Sequence, residues 1–158
     1  MSVWTYKGEA VLDDMVSDKW LGFIYELEYT DGHRYIGQTR MFSQNELDAM
    51  KNGTKRQGHI KFVNRNRKGR RVKREIVRKE NKKWRDYEGS TDNSIGKTLK
   101  SKKILRLCEQ SIDLHYWETY YLMVNNALFD DTFLNDNVGG TYFAGKVTGS
   151  KEYNNGES

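Results

Sequence analysis

The sequence predicts one domain that mixes β-strands with α-helices, and three observations support this fold class. A chain of 158 residues suits a single domain and leaves little for a second one. Residues 21–38 alternate with the period of a β-strand on both sides of an Asp-Gly turn, which is a strong signal for a hairpin. Between residues 111 and 128, apolar side chains recur at the spacing of one α-helical face.

The chain divides into three parts by its patterns. Residues 1–20 are expected to form an extension, because no motif is legible in them. The domain is expected to span residues 21–145, and a polar tail to follow at 146–158. Within the domain, residues 21–29 (LGFIYELEY) predict the first strand and residues 34–38 (RYIGQ) the returning strand.

Two tyrosines lie on the paired strands of this predicted hairpin. Tyr25 is in the first strand and Tyr35 in the second, and their spacing allows both side chains to point to the same face. Gly37 marks a place where the backbone bends or another group approaches it closely. Taken alone, the two tyrosines are better explained as core aromatics.

A capping box predicts a helix directly after the hairpin. Ser43 would cap the first turn, and Glu46 would reach back to the cap. Because Gly53 is a natural residue to follow a helix, we expect the helix to cover residues 44–51.

The middle of the chain is strongly basic. Residues 55–85 contain fifteen Lys or Arg against two Glu, a net charge of +13, while the other residues carry twelve Lys or Arg against twenty acidic residues, a net charge of −8. Such segregation is typical of a surface that binds a polyanion, and we interpret it as a nucleic-acid-binding face. The alternatives are a solvated basic helix and, with less support, a membrane surface. The spacing of Val72, Ile76 and Val77 predicts a helix that ends before Trp84.

The last third of the chain predicts a third helix. Residues 89–94 form the longest cluster of turn-forming residues, and residues 103–109 fit a strand or a helix equally. Ser111 or Asp113 can cap a helix that runs to about Leu128.

One carboxylate accompanies the apolar stripe of this third helix. The stripe consists of Leu114, Trp117, Tyr121, Val124 and Leu128. Glu118 lies on its flank, at the edge of the core, where a carboxylate could hold a cation. Taken alone, Glu118 would more often be a surface residue. Asn135 follows in a Gly-rich segment and is better explained as a loop-fixing residue than as a catalytic one.

Several classes of protein are excluded by composition. No apolar run approaches the ~18 residues of a membrane span, and the acidic N-terminus does not resemble a signal peptide. The single cysteine, Cys108, excludes an intramolecular disulfide framework and a cysteine-rich zinc site. We therefore expect a soluble, cytoplasmic protein.

Taken together, these segments resemble the GIY-YIG nucleases. GFIY and RYIG look like the paired signature of that family, and KWRDYEGS resembles a segment of its phage-encoded, homing-endonuclease-like branch. The helix YWETYYL and the later LNDNVGG look like the closing segment of that branch. The resemblance spans residues 21–143. It implies a small α/β (α+β) domain with a three-stranded antiparallel sheet flanked by helices, and hydrolysis of DNA with one divalent cation.

The resemblance also implies roles for individual residues. Tyr25, Tyr35 and Glu118 would be catalytic, and Glu118 would hold one Mg²⁺ ion, with Mn²⁺ as an alternative. Gly37 and Asn135 would be supporting residues. A tyrosine is a poor base near neutral pH unless a cation lowers its pKa, so Tyr25 as a base requires a cationic neighbour.

One part of the family pattern is absent from this chain. The family usually has an arginine on the helix after the second tyrosine, and that place is taken by Asn45 here. Arg40 is the nearest substitute and is expected as the catalytic cation, with Arg56 as the second choice.

Contacts with double-stranded DNA are expected from the basic window. The residues concerned are Arg56, Lys61, Arg65, Arg67, Arg70, Arg71, Lys73, Arg74 and Trp84. Trp84 is explained equally well as a plug of the core beneath a loop. Recognition of a long site would need this window, a homodimer partner or another protein.

The leading interpretation is a DNA endonuclease of a phage or mobile element, acting in the cytoplasm of its host cell. The alternatives are a catalytically inactive DNA-binding module that retains the fold, which the missing arginine favours, and an RNA-binding protein, which only the basic window favours.

Overall fold

The computed structural model describes residues 3–11, 16–17, 19–48, 59–65, 71–80, 82–89 and 91–152, with residues 43–48, 59–65, 71–79 and 82 described by their backbone. Its elements are, in chain order, β1 (Trp4–Tyr6), β2 (Glu9–Ala10), β3 (Gly22–Tyr29), β4 (Arg34–Arg40), β5 (Phe42–Asp48), β6 (His59–Arg65), β7 (Arg71–Glu80), two 3₁₀ helices (Lys82–Asp86 and Asp92–Ser94), β8 (Leu99–Cys108), α1 (Ser111–Val124), β9 (Asn137–Val138) and β10 (Tyr142–Phe143).

Five strands form the main sheet, in the order β2-β1-β8-β3-β4. Strand β3 lies between β4 and β8 and is antiparallel to both, whereas β1 runs parallel to β8. The mixed α+β class is confirmed, and the sheet has five strands where three were expected. Residues 1–20, expected to precede the domain, supply two of these strands.

The predicted hairpin of β3 and β4 is confirmed. The backbone N–H of Tyr29 donates to the carbonyl of His33 at 2.9 Å and closes the turn. Gly32, in the turn, has a φ of +90°, a conformation that glycine adopts without steric cost.

The alternation of side chains along β3 divides them between two cores. Phe23, Tyr25 and Leu27 lie on one face of the sheet, which we call the tyrosine face, and they pack with Trp4. Ile24 lies on the opposite face, on which α1 packs, and which we call the helix face. The sheet thus separates an aromatic core from an aliphatic one.

The helix expected over residues 44–51 is wrong where the structure describes it. Residues 42–48 form β5, which pairs with β7 from Phe42 opposite Glu80 to Asp48 opposite Arg74. A capping box is a local signal worth about 1 kcal/mol, and the ladder with a distant strand outweighs it. Residues 49–51 and Gly53 lie outside the described residues.

The helix expected within the basic window is also wrong. Val72, Ile76 and Val77 lie in β7, the central strand of a three-stranded sheet with the order β5-β7-β6. All three are β-branched, and such side chains favour extended backbone over helix. The apolar spacing matched a helix, but the residue types and the two partner strands favour a strand.

The structure assigns the segment that ends near Cys108 to a strand and the segment that follows it to a helix. The segment expected as strand or helix belongs to β8, and Cys108 is buried at its end. The third predicted helix is confirmed as α1, although it ends at Val124 and its N-cap residue is Gln110, whose side chain makes no capping hydrogen bond. Leu122 rather than Val124 is on its buried side, since Val124 is 58% exposed.

The start of the expected polar tail packs against the domain. The backbone N–H of Lys151 donates to the carbonyl of Leu128 at 2.9 Å, and its ammonium donates to the carbonyl of Phe133 at 2.5 Å. Within the residues that the structure describes, no helix has the length and apolarity to cross a bilayer.

Candidate active site

Tyr25 and Tyr35 lie together on the tyrosine face. Tyr25 is directly opposite Gly37 in the β3–β4 ladder, and Tyr35 is directly opposite Leu27. The centroids of the two tyrosine rings are 6.3 Å apart. Tyr25 is 1% exposed, whereas Tyr35 is half-buried, so Tyr35 forms the outer member of the pair.

Gly37 provides the space in which the Tyr25 ring lies. A Cβ atom at this position would be 2.5 Å from Tyr25 Oη, 2.7 Å from Tyr25 Cζ and 3.0 Å from Tyr35 Cε1. Atoms that are not bonded do not approach so closely, so any side chain here would displace the tyrosines. The close approach expected at this glycine is therefore made by the two tyrosine rings.

The surroundings of Tyr25 keep its hydroxyl protonated. Burial raises its pKa well above the usual range, and the nearby Tyr35, Tyr87 and Glu118 raise it further. The cationic neighbour that a base at Tyr25 would need is not among the described groups that act on this pKa.

Glu118 lies on the inward side of α1. Leu114 and Leu122, four residues before and after it, are both 1% exposed, so the carboxylate projects between two buried leucines. The sequence placed it on the flank of the stripe; the structure places it at the centre of the buried side. Glu118 itself is half-buried.

The carboxylate of Glu118 lies near β4. The amide of Gln38, which directly follows Gly37, lies near enough to the carboxylate to lower its pKa. Burial raises the pKa of Glu118, while Gln38 and the nearby His115 lower it. Gly37 and Gln38 are consecutive on the edge strand β4 and face opposite sides of the sheet, so the tyrosine pair and Glu118 approach this strand from its two sides. Glu118 is near enough to Tyr25 to raise its pKa.

The donor set around Glu118 fits Mg²⁺. Within the described part of the chain, no three His, Cys, Asp or Glu side chains converge as a protein cage for a metal. Mg²⁺ does not require one, because it usually keeps several waters and binds one or two carboxylates together with substrate phosphates. A half-buried carboxylate with no salt bridge among the described residues is a suitable single ligand.

The structure does not bring Arg40 to the tyrosines. Arg40 shares a side of β4 with Gln38, and its guanidinium donates to Ser111 Oγ at 2.9 Å. Ser111 begins α1 seven residues before Glu118, which corresponds to about 10 Å along a helix. Arg56, the second choice, lies outside the described residues.

Asn135 holds the outer edge of β4. Its Oδ1 accepts from the backbone N–H of Ile36 at 3.0 Å, and its Nδ2 donates to the Ile36 carbonyl at 2.8 Å. The neighbouring Leu134 N–H donates to the Arg34 carbonyl at 2.7 Å. Asn135 thus acts on the backbone next to Gly37, in keeping with a supporting role.

The expected DNA contacts are spread over a separate sheet. Lys61 and Arg65 lie on β6, and Arg71, Lys73 and Arg74 lie on β7. The remaining basic residues of the set, Arg56, Arg67 and Arg70, lie outside the described residues.

Trp84 belongs to the core, which corrects its assignment to DNA contact. It is 3% exposed, its ring meets Phe23 edge-on at 5.9 Å, and its carbonyl accepts from Trp4 Nε1 at 2.8 Å. A ring so deeply buried has almost no surface left for DNA. The alternative interpretation, a plug beneath a loop, describes its position.

Sequence reasoning missed two residues near the site, Gln38 and His115, and one buried lysine elsewhere on the sheet. Gln38 directly follows the second signature, and its position in RYIGQ was the available signal. His115 lies one helical turn before Glu118, so helical spacing could have found it. Lys102 is 1% exposed, but nothing distinguishes it in the sequence from the lysines that flank it.

Comparison with known families agrees with this geometry. The family model described as "Putative endonuclease segE, GIY-YIG domain" matches residues 4–138, which include β1, both tyrosines, Glu118 and Asn135. No curated protein and no solved structure gives a significant match. The match covers well over half of the chain, and it begins at the strand that extends the sheet. The chain therefore belongs to the GIY-YIG family.

Proposed function

We propose that this chain is a divalent-metal-dependent endonuclease that hydrolyses DNA at the site formed by Tyr25, Tyr35, Gly37 and Glu118. The position of Glu118 is the observation that carries this proposal. A carboxylate between two buried leucines is costly, and the described residues offer it a glutamine but no salt bridge. Titratable groups in such surroundings occur preferentially at functional sites.

The site supplies the groups that phosphodiester hydrolysis needs. Glu118 would hold the Mg²⁺ ion, which when bound supplies positive charge for the phosphate and the leaving oxygen. Tyr25 retains its proton at Oη, so its hydroxyl serves as a hydrogen-bond donor in the described surroundings. Tyr35 is more exposed and lies where the pair meets the substrate. Gly37 keeps both rings in place.

Double-stranded DNA is the proposed substrate, with the basic window as its main contact surface. The fifteen Lys or Arg of residues 55–85 carry the positive charge that neutralises the phosphates of a duplex. Each chain has one Glu118, so a homodimer is one way to cut both strands. Analytical ultracentrifugation with and without DNA tests the dimer, and sequencing of product ends on the source genome tests a homing-type role.

The position of Arg40 favours a second candidate, a DNA-binding module that has lost catalysis. The guanidinium of Arg40 binds Ser111. No arginine of the described residues is among the groups that shift the pKa of Tyr25. Such a module would bind DNA with the same salt dependence but would not cleave it.

The experiment is cleavage of supercoiled plasmid with Mg²⁺, with Mn²⁺ and with EDTA, together with binding measured by fluorescence anisotropy. We expect cleavage with either ion, none with EDTA, and a loss of orders of magnitude in Glu118→Gln at unchanged DNA affinity. The matched control is Asp113→Asn, which removes the other carboxylate of α1 and should cleave like the wild type. Binding without cleavage by the wild type would support the inactive module, and equal rates in wild type and Glu118→Gln would overturn the proposed site.

A further inference from the structure

The outer side of α1 carries large apolar side chains that are open to solvent. They recur at every fourth position of the helix, with one more beside the last: Ile112, Tyr116, Tyr120, Val124 and Met123. We call these five residues the outer stripe. Their exposed fractions lie between 44% and 67%. Single exposed apolar residues are ordinary, but a contiguous patch of this size marks an interaction surface.

The two tyrosines of the outer stripe are held in place by an inner ring. Trp117 meets Tyr116 edge-on with centroids 5.1 Å apart, and it meets Tyr120 edge-on at 5.2 Å. The guanidinium of Arg106, on β8, lies 3.5 Å from the centroid of the Trp117 ring. Side chains that are already ordered lose little conformational entropy when a partner covers them, so these rings are suited to a specific interface.

The composition of the outer stripe favours a protein partner over a nucleic acid. None of its five residues is charged, whereas binding of DNA depends on Lys and Arg that neutralise phosphates. The centre of a protein–protein interface is enriched in Tyr and Met, poor in charge and surrounded by a polar rim. Asp113 and His115 lie beside the outer stripe near the start of α1, as expected for such a rim.

The spacing of the outer stripe fits a second copy of the same chain. A two-fold axis pairs residue i with residue j and residue j with residue i. With the axis midway between Tyr116 and Tyr120 and the two helices antiparallel, Tyr116 of each copy faces Tyr120 of the other. Ile112 then faces Val124 in the same way. Rows of side chains four residues apart are also the ridges that interlock when two helices cross at about 50°.

The outer stripe is also large enough for a dimer. Its exposed fractions correspond to roughly 600 Å² on each chain, so two copies would bury about 1,200 Å² in total. A specific interface needs about 1,000 Å² in total, and those near this limit are the weaker ones. We therefore expect dissociation in the micromolar range.

We propose that the outer stripe is a dimer interface, on which a second copy of this chain docks with its own α1 antiparallel. At about 100° per residue, Glu118 projects about 180° away from the centre of the outer stripe, so pairing leaves both Glu118 carboxylates on the far sides of the two helices. The use of the dimer to cut both strands of a duplex rests on the proposed function, whereas the pairing itself does not.

The first test places like charges at the centre of the interface. In Tyr116→Lys/Tyr120→Lys four ammonium groups would meet across the axis, and in Tyr116→Glu/Tyr120→Glu four carboxylates would. By sedimentation velocity without DNA, at about 1–100 μM protein and about 0.15 M salt, we expect the wild type to dimerise and each double variant to be monomeric, with a Kd at least about 10-fold weaker. An equimolar mixture of the two variants should dimerise, because each Lys then faces a Glu.

The matched control is Ile95→Lys, because Ile95 is 79% exposed and lies outside α1. This variant should dimerise like the wild type. A monomeric wild type over the whole range, double variants that dimerise on their own, or a mixture that stays monomeric would overturn the proposal. If a double variant does not fold, Tyr116→Lys is mixed with Tyr120→Glu. That mixture should dimerise more tightly than either single variant alone, and equal affinities would overturn the proposal.

The second test separates pairing from cleavage. On supercoiled plasmid at saturating protein, the wild type should produce linear DNA, the monomeric double variants should accumulate nicked circles, and their mixture should restore the linear product. Equal linear product from the monomeric variants would refute the role of the dimer in cutting both strands. A chain that dimerises as expected but does not cleave would support the interface and refute the proposed function.

Discussion

Gly37→Ala tests how tightly the two tyrosines pack on β4. The added methyl group would lie 2.5 Å from Tyr25 Oη, and Tyr25 cannot easily move aside because Trp4 and Phe23 meet its ring at 5.4 and 6.4 Å between centroids. Overpacking of this kind costs about 1–3 kcal/mol. Alanine also lowers the conformational entropy of the unfolded chain, and this effect by itself would stabilise the variant by about 0.4–1 kcal/mol. We therefore expect a net destabilisation of about 1–2 kcal/mol.

The assay is thermal unfolding followed by circular dichroism. One kcal/mol shifts the Tm of a domain of this size by about 2–4 °C, so Gly37→Ala should unfold roughly 2–8 °C below the wild type. Plasmid cleavage should fall as well, because both tyrosines are displaced. A Tm at or above that of the wild type would refute the reasoning, since the effect on the unfolded state alone would then remain.

A double-mutant cycle tests whether the new methyl group of Gly37→Ala clashes with Tyr25 Oη. Tyr25→Phe removes the atom nearest to the new methyl group, so its combination with Gly37→Ala should be more stable than the sum of the two single effects, with a coupling of about 0.5–3 kcal/mol. Tyr29→Phe combined with Gly37→Ala serves as the control and should be additive. Additive effects in both cycles would show that Tyr25 Oη is not the atom displaced.

Three further predictions concern the other parts of the site. Tyr35→Phe should lower the cleavage rate with little change in Tm, because only a half-buried hydroxyl is lost; a lower Tm with full activity would assign Tyr35 to the core instead. Burial raises the pKa of Glu118 above its usual 4.5, so the stability that its neutral form contributes is complete below pH 4.5 and is lost as the pH rises through the raised pKa. Glu118→Gln should therefore be at least as stable as the wild type at pH 7. Its Tm should also not show this pH-dependent loss in melts recorded between pH 4 and 7. A Tm below that of the wild type at pH 7 would contradict this explanation. If about five side chains of the basic window bind phosphates, the log–log salt slope of DNA binding should be roughly −4 to −5, and Gln at Arg70, Arg71 and Lys73 should flatten it by about one unit for each phosphate-binding side chain removed. Anisotropy titrations at increasing NaCl concentration measure this slope. An unchanged slope in the variant would show that the substituted side chains are solvated and do not bind phosphates.

The parts of the site that depend on local pattern were predicted from the sequence. Tyr25 and Tyr35 lie on a hairpin whose turn is encoded by adjacent residues, so the period of two determines that they share a face. Glu118 lies on a helix whose apolar spacing is clear. Asn135 was expected as a loop-fixing residue, and its side chain binds the backbone of β4 at Ile36.

The parts that depend on distant partners were not predicted. The segment that begins at Ser43 carries a helix cap but pairs with β7, and the pairing outweighs the cap. The pairing of Trp4 with Lys102 joins strands almost a hundred residues apart, and no local period records it. Buried Lys102 donates to two carbonyls of a distant loop, so its burial could be found only after the fold was known.

The order in which the chain is made has a consequence for β3. Its partner β4 follows at once, but its other partner, β8, ends at Cys108, 79 residues after Tyr29. At a synthesis rate of about 5–20 residues per second, the wait is about 4–16 s, and a hairpin alone is at best marginally stable in water during this time. Residues 55–85 are synthesised within this interval, and Glu118 only after it. A nascent chain would therefore complete its basic window about 2–7 s before the residue proposed to hold the metal, Glu118, is synthesised.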